Sequence, residues 1–366
     1  MESYKFLILR LSAVGDVLRT LPTVRALKEN LPLSHITWVV EEPSFNLLSS
    51  QPEIDSVILF PRKRWVREIK SIKGIWKAFR EMGDFVSKLR KQRFEVVLDF
   101  HGILKSGILS YLSGSPKRVG YDRKAGKEGN FLFSNVKVSL PDKPLSRFDR
   151  NFSLLKGIGL EVREFRPKLQ IPSDDREYVD AFFKGVPSAP SSPLVAIHPG
   201  TSPKTAYKRW MPSGYARVAD RLVRELKASV IFTWGPGELE WVERIRDGMK
   251  ELSILAPETE TLTQLGEIFS RCDLYIGGDT GPMHIASFVD VPVVGIYGPT
   301  DPVVNEPLGR HVKIRKEVGC NPCRNRNCKN LRCLEAVTVD DVFNGAKGML
   351  SIQGKEDSDL RRARDS

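Results

Sequence analysis

Asp16 sits in YKFLILRLSAVGDVLRTLP, residues 4–22, where an apolar run meets an acidic residue at the mouth of a helical pattern. A carboxylate there can cap the helix that begins at Val17, or it can take a proton as a general base; the residues alone leave both open. A second stretch, LYIGGDTGPMHIAS at 274–287, runs a strand into Gly277 and Gly278, whose missing Cβ atoms allow a tight turn and close approach of a ligand. Pro282 suits the first turn of a helix. The N–H groups around Thr280 and Gly281 then lack intrahelical partners, and with the helix dipole they attract phosphate. The plainer alternative is an ordinary strand-to-helix turn capped by Asp279 or Thr280.

Two further stretches carry suitable groups. In VAIHPGTSPKTAYKRWMP, Thr201 and Ser202 offer hydroxyls just past a strand, and Lys208 offers a point charge suited to a diphosphate. FTWGPGE ends another strand with glycines and Glu238, a carboxylate placed where such sheets hold ribose hydroxyls. Neither stretch is a P-loop or a dinucleotide fingerprint, which disfavours an ATPase or a dehydrogenase. No Asp-x-Asp stretch stands beside these motifs, so no metal is required to bridge a diphosphate.

The elements that must position these residues follow from hydrophobic patterning. FLILRL, HITWVV, SVILF and FEVVLDF precede residue 100, and LVAIHPG, SVIFTWG, CDLYIGGD and VPVVGIYG follow residue 193, each separated by helical patterns. Alternation of this kind predicts an α/β protein of two doubly wound, Rossmann-like parallel sheets. The Pro/Ser/Gly-rich KGVPSAPSSP at 184–193 is expected to link a domain 1–183 to a domain 194–350, with residues 351–366 disordered. Ligands of such sheets lie beyond the carboxyl ends of the strands, so a cleft between the domains is the expected site.

Charge is unevenly placed in the chain of 366 residues. Residues 1–190 hold 33 Lys+Arg against 22 Asp+Glu, whereas residues 191–366 hold 24 against 23. The densest stretch is 62–93, with 12 basic and 3 acidic residues. There Trp65, Ile69, Ile72, Trp76, Phe79, Met82, Val86 and Leu89 recur at three- and four-residue spacing, which predicts an amphipathic helix with breaks at Gly74 or Gly83. Such a helix packs its stripe on a sheet, lies on an anionic membrane surface, or steers an acidic substrate. No run of 18 apolar residues occurs and the first apolar stretch is broken by Arg10 and Asp16, so neither a spanning helix nor a signal peptide is expected. The expected location is the cytoplasm.

Four cysteines form a C-x2-C-x4-C-x4-C array, Cys320, Cys323, Cys328 and Cys333. Four thiolates at that spacing could complete a structural zinc site; an iron–sulfur cluster and free or redox-paired thiols are the other readings. Cys272 stands apart and is expected to pack beside its strand. A knuckle-like array in a basic chain also raises a nucleic-acid-binding protein. That is disfavoured because NPCRNRNCKNLRC has no aromatic residue for stacking and the charge excess lies in the other half.

In order along the chain, LSAVGDVLRTLP, LDFHGILKS, KRVGYD, HPGTSPKTAYKRWMP, GDTGPMHIA and GIYGPTDP resemble the glycosyltransferase family 9 heptosyltransferases over nearly the whole chain. The resemblance implies a GT-B enzyme that moves heptose from ADP-heptose to an anionic inner-core acceptor of lipopolysaccharide, Kdo-lipid A or heptosyl-Kdo-lipid A. A member using another nucleotide sugar or acceptor is the alternative. It further implies Asp16 as catalytic base in an inverting displacement, Thr201, Ser202 and Lys208 on the diphosphate, and Glu238 on the ribose. Thr280 and Gly281 would meet the phosphates, Asp279 and His284 would orient the heptose or leaving group, and Lys208 would stabilise the departing charge. Lys105, Arg118 and one or more of Arg62, Lys63 and Arg64 are the implied acceptor contacts. No cofactor is implied for catalysis, and membrane association would be peripheral, at the inner face of the inner membrane.

Overall fold

A computed structural model of the chain describes residues 3–162, 168–186, 192–323 and 325–364, the side chains from 353 onward excepted. Two compact units are present, Met1–Gln170 and Ile171–Ser366. The first contains β1 (Lys5–Leu9), β2 (His35–Val40), β3 (Ser56–Leu59), β4 (Val96–Asp99), β5 (Lys117–Tyr121) and β6 (Val136–Val138). They form one parallel sheet in the order β3-β2-β1-β4-β5-β6. The second contains β7 (Leu194–His198), β8 (Ser229–Phe232), β9 (Ile254–Leu255), β10 (Leu274–Gly278), β11 (Val293–Tyr297) and β12 (His311–Arg315). Their order, β12-β11-β10-β7-β8-β9, repeats the same winding.

Strand order reverses at one place in each sheet, between β1 and β4 and between β7 and β10. At such a switch point the chain leaves adjacent strands toward opposite faces and opens a crevice at their carboxyl ends. The central strands are continuous apolar runs because both faces are covered: consecutive residues Phe6, Leu7, Ile8 and Leu9 are all buried in the first unit, and Val195, Ala196 and Ile197 in the second.

Two expectations change in detail. The helix Ser173–Lys184, assigned from sequence to the first domain, belongs to the second unit. Thr263 and Thr261 donate to the Asp175 carboxylate at 2.5 and 3.1 Å, and the Tyr178 hydroxyl donates to the Glu258 carbonyl at 2.6 Å. Of the expected linker, residues 187–191 lie outside the described residues. The backbone is helical from Val339 to Arg364, through most of the stretch expected to be disordered; its Leu, Lys, Glu, Arg and Ala residues propagate a helix already nucleated upstream.

The basic stretch forms two helices, Arg62–Glu68 and Ile72–Lys91, and the second runs unbroken through Gly74 and Gly83. Its N-cap Ser71 accepts from the Gly74 N–H at 3.1 Å. The apolar stripe is not packed as a unit: Trp65 and Leu89 are buried, whereas Ile72, Trp76 and Phe79 face outward. No helix among the described residues is long and apolar enough to cross a membrane.

Candidate functional site

In the first unit, Asp16 lies inside a short helix, Val14–Leu18, whose N-cap is Ala13. Its carboxylate is therefore not at the cap position. It is ion-paired instead with Arg10, with Arg19 at 2.7 Å and with Arg147 at 3.8 Å. Arg10 is further held by donation to the Phe100 carbonyl at 2.8 Å. Arg19 is fixed from the other side, where the Asn151 amide donates to its carbonyl at 2.9 Å. Three guanidiniums around one carboxylate leave an excess of positive charge. Burial, with Arg19 and Arg10 beside it, pulls the Arg147 guanidinium down to about 10 against the pull of Asp16.

The neighbouring strand β4 ends in Asp99, fully buried. Its carboxylate accepts from the His101 and Gly102 N–H groups at 3.0 and 3.1 Å, from Ser106 Oγ at 2.9 Å and from Asn130 Nδ2 at 2.7 Å. Burial pushes its pKa up even against these four bonds. Asp99 thus pins the loop in which Gly102, at φ +67°, makes a left-handed turn. That loop delivers His101 and Lys105. His101 Nδ1 accepts from the Leu11 N–H at 3.1 Å, and burial with Arg10 and Lys105 nearby lowers its pKa to about 3.

Lys105 reaches the Glu41 carboxylate at 2.5 Å, and Arg62 lies 3.7 Å from the other Glu41 oxygen. Glu41 follows β2, Arg62 follows β3 and Lys105 follows β4, so the three meet along the carboxyl edge of the sheet. Arg64 pairs with Glu81 at 2.7 Å and Lys63 is exposed. Arg118 is not gathered with them. It sits at the start of β5, level with Val97 rather than with the strand ends. Its guanidinium donates to the Phe133 and Ser115 carbonyls at 2.9 and 2.8 Å.

In the second unit the loop after β7 carries Thr201, Ser202 and Lys208. Lys208 Nζ contacts Asp279, just past β10, through the carboxylate at 3.1 Å and the carbonyl at 3.0 Å. Asp279 also lies 4.0 Å from His284 Nε2. The helix Gly281–Phe288 begins there; its N-cap Thr280 makes no side-chain cap bond, and Pro282 occupies the first turn. Thr201 is buried, with Arg209 Nη2 donating to its carbonyl at 2.5 Å, while Ser202 is exposed and its Oγ lies 2.9 Å from Thr205 Oγ1.

Glu238 follows β8. The Gly235 N–H donates to its carboxylate at 3.0 Å, and His198 Nε2 lies 3.4 Å away. Burial alone would raise its pKa, but the bond and charge of His198, with Gly235 and Arg209, hold it below the usual carboxylate range. Gly200 leaves room for this carboxylate, since a Cβ at that position would stand 2.1 Å from it and displace it. The second unit thus gathers Thr201, Lys208, Glu238, Asp279, Thr280, Gly281 and His284 at the carboxyl ends of β7, β8 and β10. Residues missed by sequence reasoning are Arg10, Arg19, Arg147, His101 and Glu41 in the first unit and His198 and Arg209 in the second. Arg10, Arg19, His101, His198 and Arg209 lie inside the quoted motifs but were given no role there, and Glu41 and Arg147 lie outside them.

Of the readings open for the cysteine array, the structure shows free thiols. Cys320, Cys323, Cys328 and Cys333 are free thiols, and no group of three or more His, Cys, Asp or Glu side chains among the described residues is arranged to hold a metal. Cys333 is buried under Leu334 and Gly298, and burial followed by the neighbouring Cys320 and Cys323 raises its pKa. Cys272 is buried and donates to the Ile268 carbonyl at 3.2 Å, and burial pushes its thiol up.

Known proteins resemble the chain in sequence and in fold. Residues 82–334 match the model of glycosyltransferase family 9 (heptosyltransferase). The lipopolysaccharide core heptosyltransferase OpsX of Haemophilus influenzae is 30% identical over 302 residues, 82% of this chain and 80% of that protein. Lipopolysaccharide heptosyltransferase 1 of Pseudomonas aeruginosa is 27% identical over 331 residues, 88% of this chain and 87% of that protein. Among solved structures, the ADP-heptose lps heptosyltransferase II of E. coli superposes with a TM-score of 0.74 at 20% identity, over 96% of this chain and 99% of that one. With two Rossmann-like sheets of GT-B type and a family match over most of its length, the chain belongs to glycosyltransferase family 9 and is a glycosyltransferase.

Proposed function

We propose that the enzyme moves heptose from ADP-heptose to an anionic, lipid-linked inner-core acceptor of lipopolysaccharide, Kdo-lipid A or heptosyl-Kdo-lipid A, at the inner face of the inner membrane. The names of the relatives support the sugar and the pathway. The observation that carries the donor half is the meeting of Lys208, the start of the helix Gly281–Phe288 and Glu238 at the carboxyl ends of three strands. A point charge and unpaired N–H groups suit a diphosphate, and a carboxylate held ionised suits ribose hydroxyls.

In this reading an acceptor hydroxyl oxygen attacks the anomeric carbon while the bond to the diphosphate oxygen breaks and ADP leaves with the electron pair. The single displacement inverts the anomeric centre. Asp16 takes the hydroxyl proton. Lys208 and the helix start stabilise the charge that develops on the leaving diphosphate, Thr201 and Ser202 steady it, and Glu238 holds the ribose. Asp279 and His284 orient the heptose. Lys105 and Arg62, with Lys63 and Arg64 nearby in sequence, receive the acceptor's carboxylates and phosphates; Arg118 has a structural role. No cofactor enters the reaction.

The test is Asp16→Asn, followed by product mass with ADP-heptose and a set of truncated acceptors. Turnover is expected to fall by about 100-fold or more, the typical share of a general base. Near-normal turnover with the natural acceptor overturns the assignment.

A further inference from the structure

The helix Ile72–Lys91 carries two apolar faces. The inner one is built from Gly74, Ala78 and Leu89, all buried. The small residues bring the helix close: a Cβ on Gly74 would stand 2.0 Å from the Glu68 carbonyl oxygen. The outer face consists of Ile72, Trp76 and Phe79, which are 80%, 76% and 65% exposed. At i, i+4 and i+7 these three point the same way. Lys73 and Arg80, themselves seven residues apart and exposed, run beside them one step around the helix.

We propose that this face seats the enzyme on a bilayer bearing anionic headgroups. An apolar, aromatic-rich stripe flanked by lysine and arginine is the composition of a helix that lies in the interface, rings among the upper acyl chains and cations among the headgroups. The 12 basic and 3 acidic residues of 62–93 identify the partner as anionic. Placement gives the contact a purpose. The helix comes after β3 and the short helix Arg62–Glu68 and leads back to the start of β4, so its Ile72 end is on the carboxyl side of the sheet, the side that carries Asp16, Lys105 and Arg62. A lipid-linked acceptor lying in the same bilayer would present its sugar at that edge. The inference rests on the proposed lipid-linked acceptor only for this purpose; the docking itself is independent of the chemistry.

The experiment is sedimentation of the full chain with vesicles of phosphatidylcholine alone or mixed with phosphatidylglycerol, alongside transfer to a deacylated, water-soluble acceptor. Wild type is expected on the mixed vesicles and not on neutral ones, with binding that weakens as salt rises. Trp76→Ser combined with Phe79→Ser, an exposed pair, is expected to weaken vesicle affinity by about tenfold or more while leaving transfer to the soluble acceptor unchanged. Lys73→Glu with Arg80→Glu is expected to do the same. Vesicle binding unaltered in both double variants, or none by wild type, overturns the inference while transfer still reports on the proposed reaction. A wild-type dimer that the aromatic variant converts to monomer also overturns it, since a second copy would then cover the stripe.

Discussion

Lys208 Nζ lies 3.1 Å from Asp279 Oδ2 and 3.0 Å from the Asp279 carbonyl oxygen, joining two loops that leave adjacent strands at the switch point of the second sheet. Asp279 is buried, and the lysine pairs with it beside the start of the helix Gly281–Phe288. An arriving diphosphate would share that cation.

Removing the cation therefore has two separable effects. Lys208→Met is expected to lower kcat about 100- to 1,000-fold, as loss of a preorganised electrostatic contact does. It should also destabilise the fold by about 3 kcal/mol, because Asp279 is left buried and unpaired. Adding Asp279→Asn should recover most of the stability in a urea titration and none of the turnover. Recovery of turnover in the double variant would assign Lys208 a purely structural role.

Glu238 supports a prediction that separates binding from chemistry. Its carboxylate is held ionised by His198 and Gly235 and sits against Gly200. Glu238→Gln is expected to raise the KM for the nucleotide sugar about 10- to 100-fold with kcat nearly unchanged, the worth of hydrogen bonds to a charged group. Gly200→Ala should reproduce that KM effect by displacing the carboxylate, with a stability loss of about 1–3 kcal/mol from overpacking. Calorimetric titration with ADP checks both: unaltered affinity in Glu238→Gln removes Glu238 from the ribose.

Much of this site was legible in the sequence because its parts lie within a few residues of strand ends. The β10 run into Gly277–Gly278 and Pro282 fixes a helix start whatever surrounds it, and Thr201 and Lys208 follow β7 closely enough to share its edge. The guanidinium cluster around Asp16 was only partly legible. Arg10 and Arg19 stand in the same stretch as Asp16, whereas Arg147 lies far along the chain and only the fold brings it to that carboxylate. The same is true of Glu41, which gathers Lys105 and Arg62 from two other strands. In the helix Ile72–Lys91, periodicity found an apolar stripe and left open whether it packs inward or faces out. Gly74 and Ala78 pack closely because they are small, while the larger Trp76 and Phe79 stay outside. The unit boundary moved for a comparable reason: Asp175 and Tyr178 bind across more than 75 residues, which no local Pro/Ser pattern reports.

His101 sets the behaviour of the first unit in acid. Burial, reinforced by Arg10 and Lys105, lowers its pKa from 6.5 to about 3, with only Asp16 opposing. The unfolded chain therefore binds a proton below pH 6.5 that the folded chain refuses until about pH 3. Stability from this group is complete above pH 6.5 and falls as pH drops through that window, by up to about 1.4 kcal/mol per unit. His101→Gln removes the titration and retains a carbonyl that can accept the Leu11 N–H now held by Nδ1 at 3.1 Å. Urea unfolding between pH 4 and 7, followed by tryptophan fluorescence, is expected to show a shallower acid limb for the variant than for wild type. Parallel limbs would mean that His101 is protonated in the folded enzyme despite the two cations beside it.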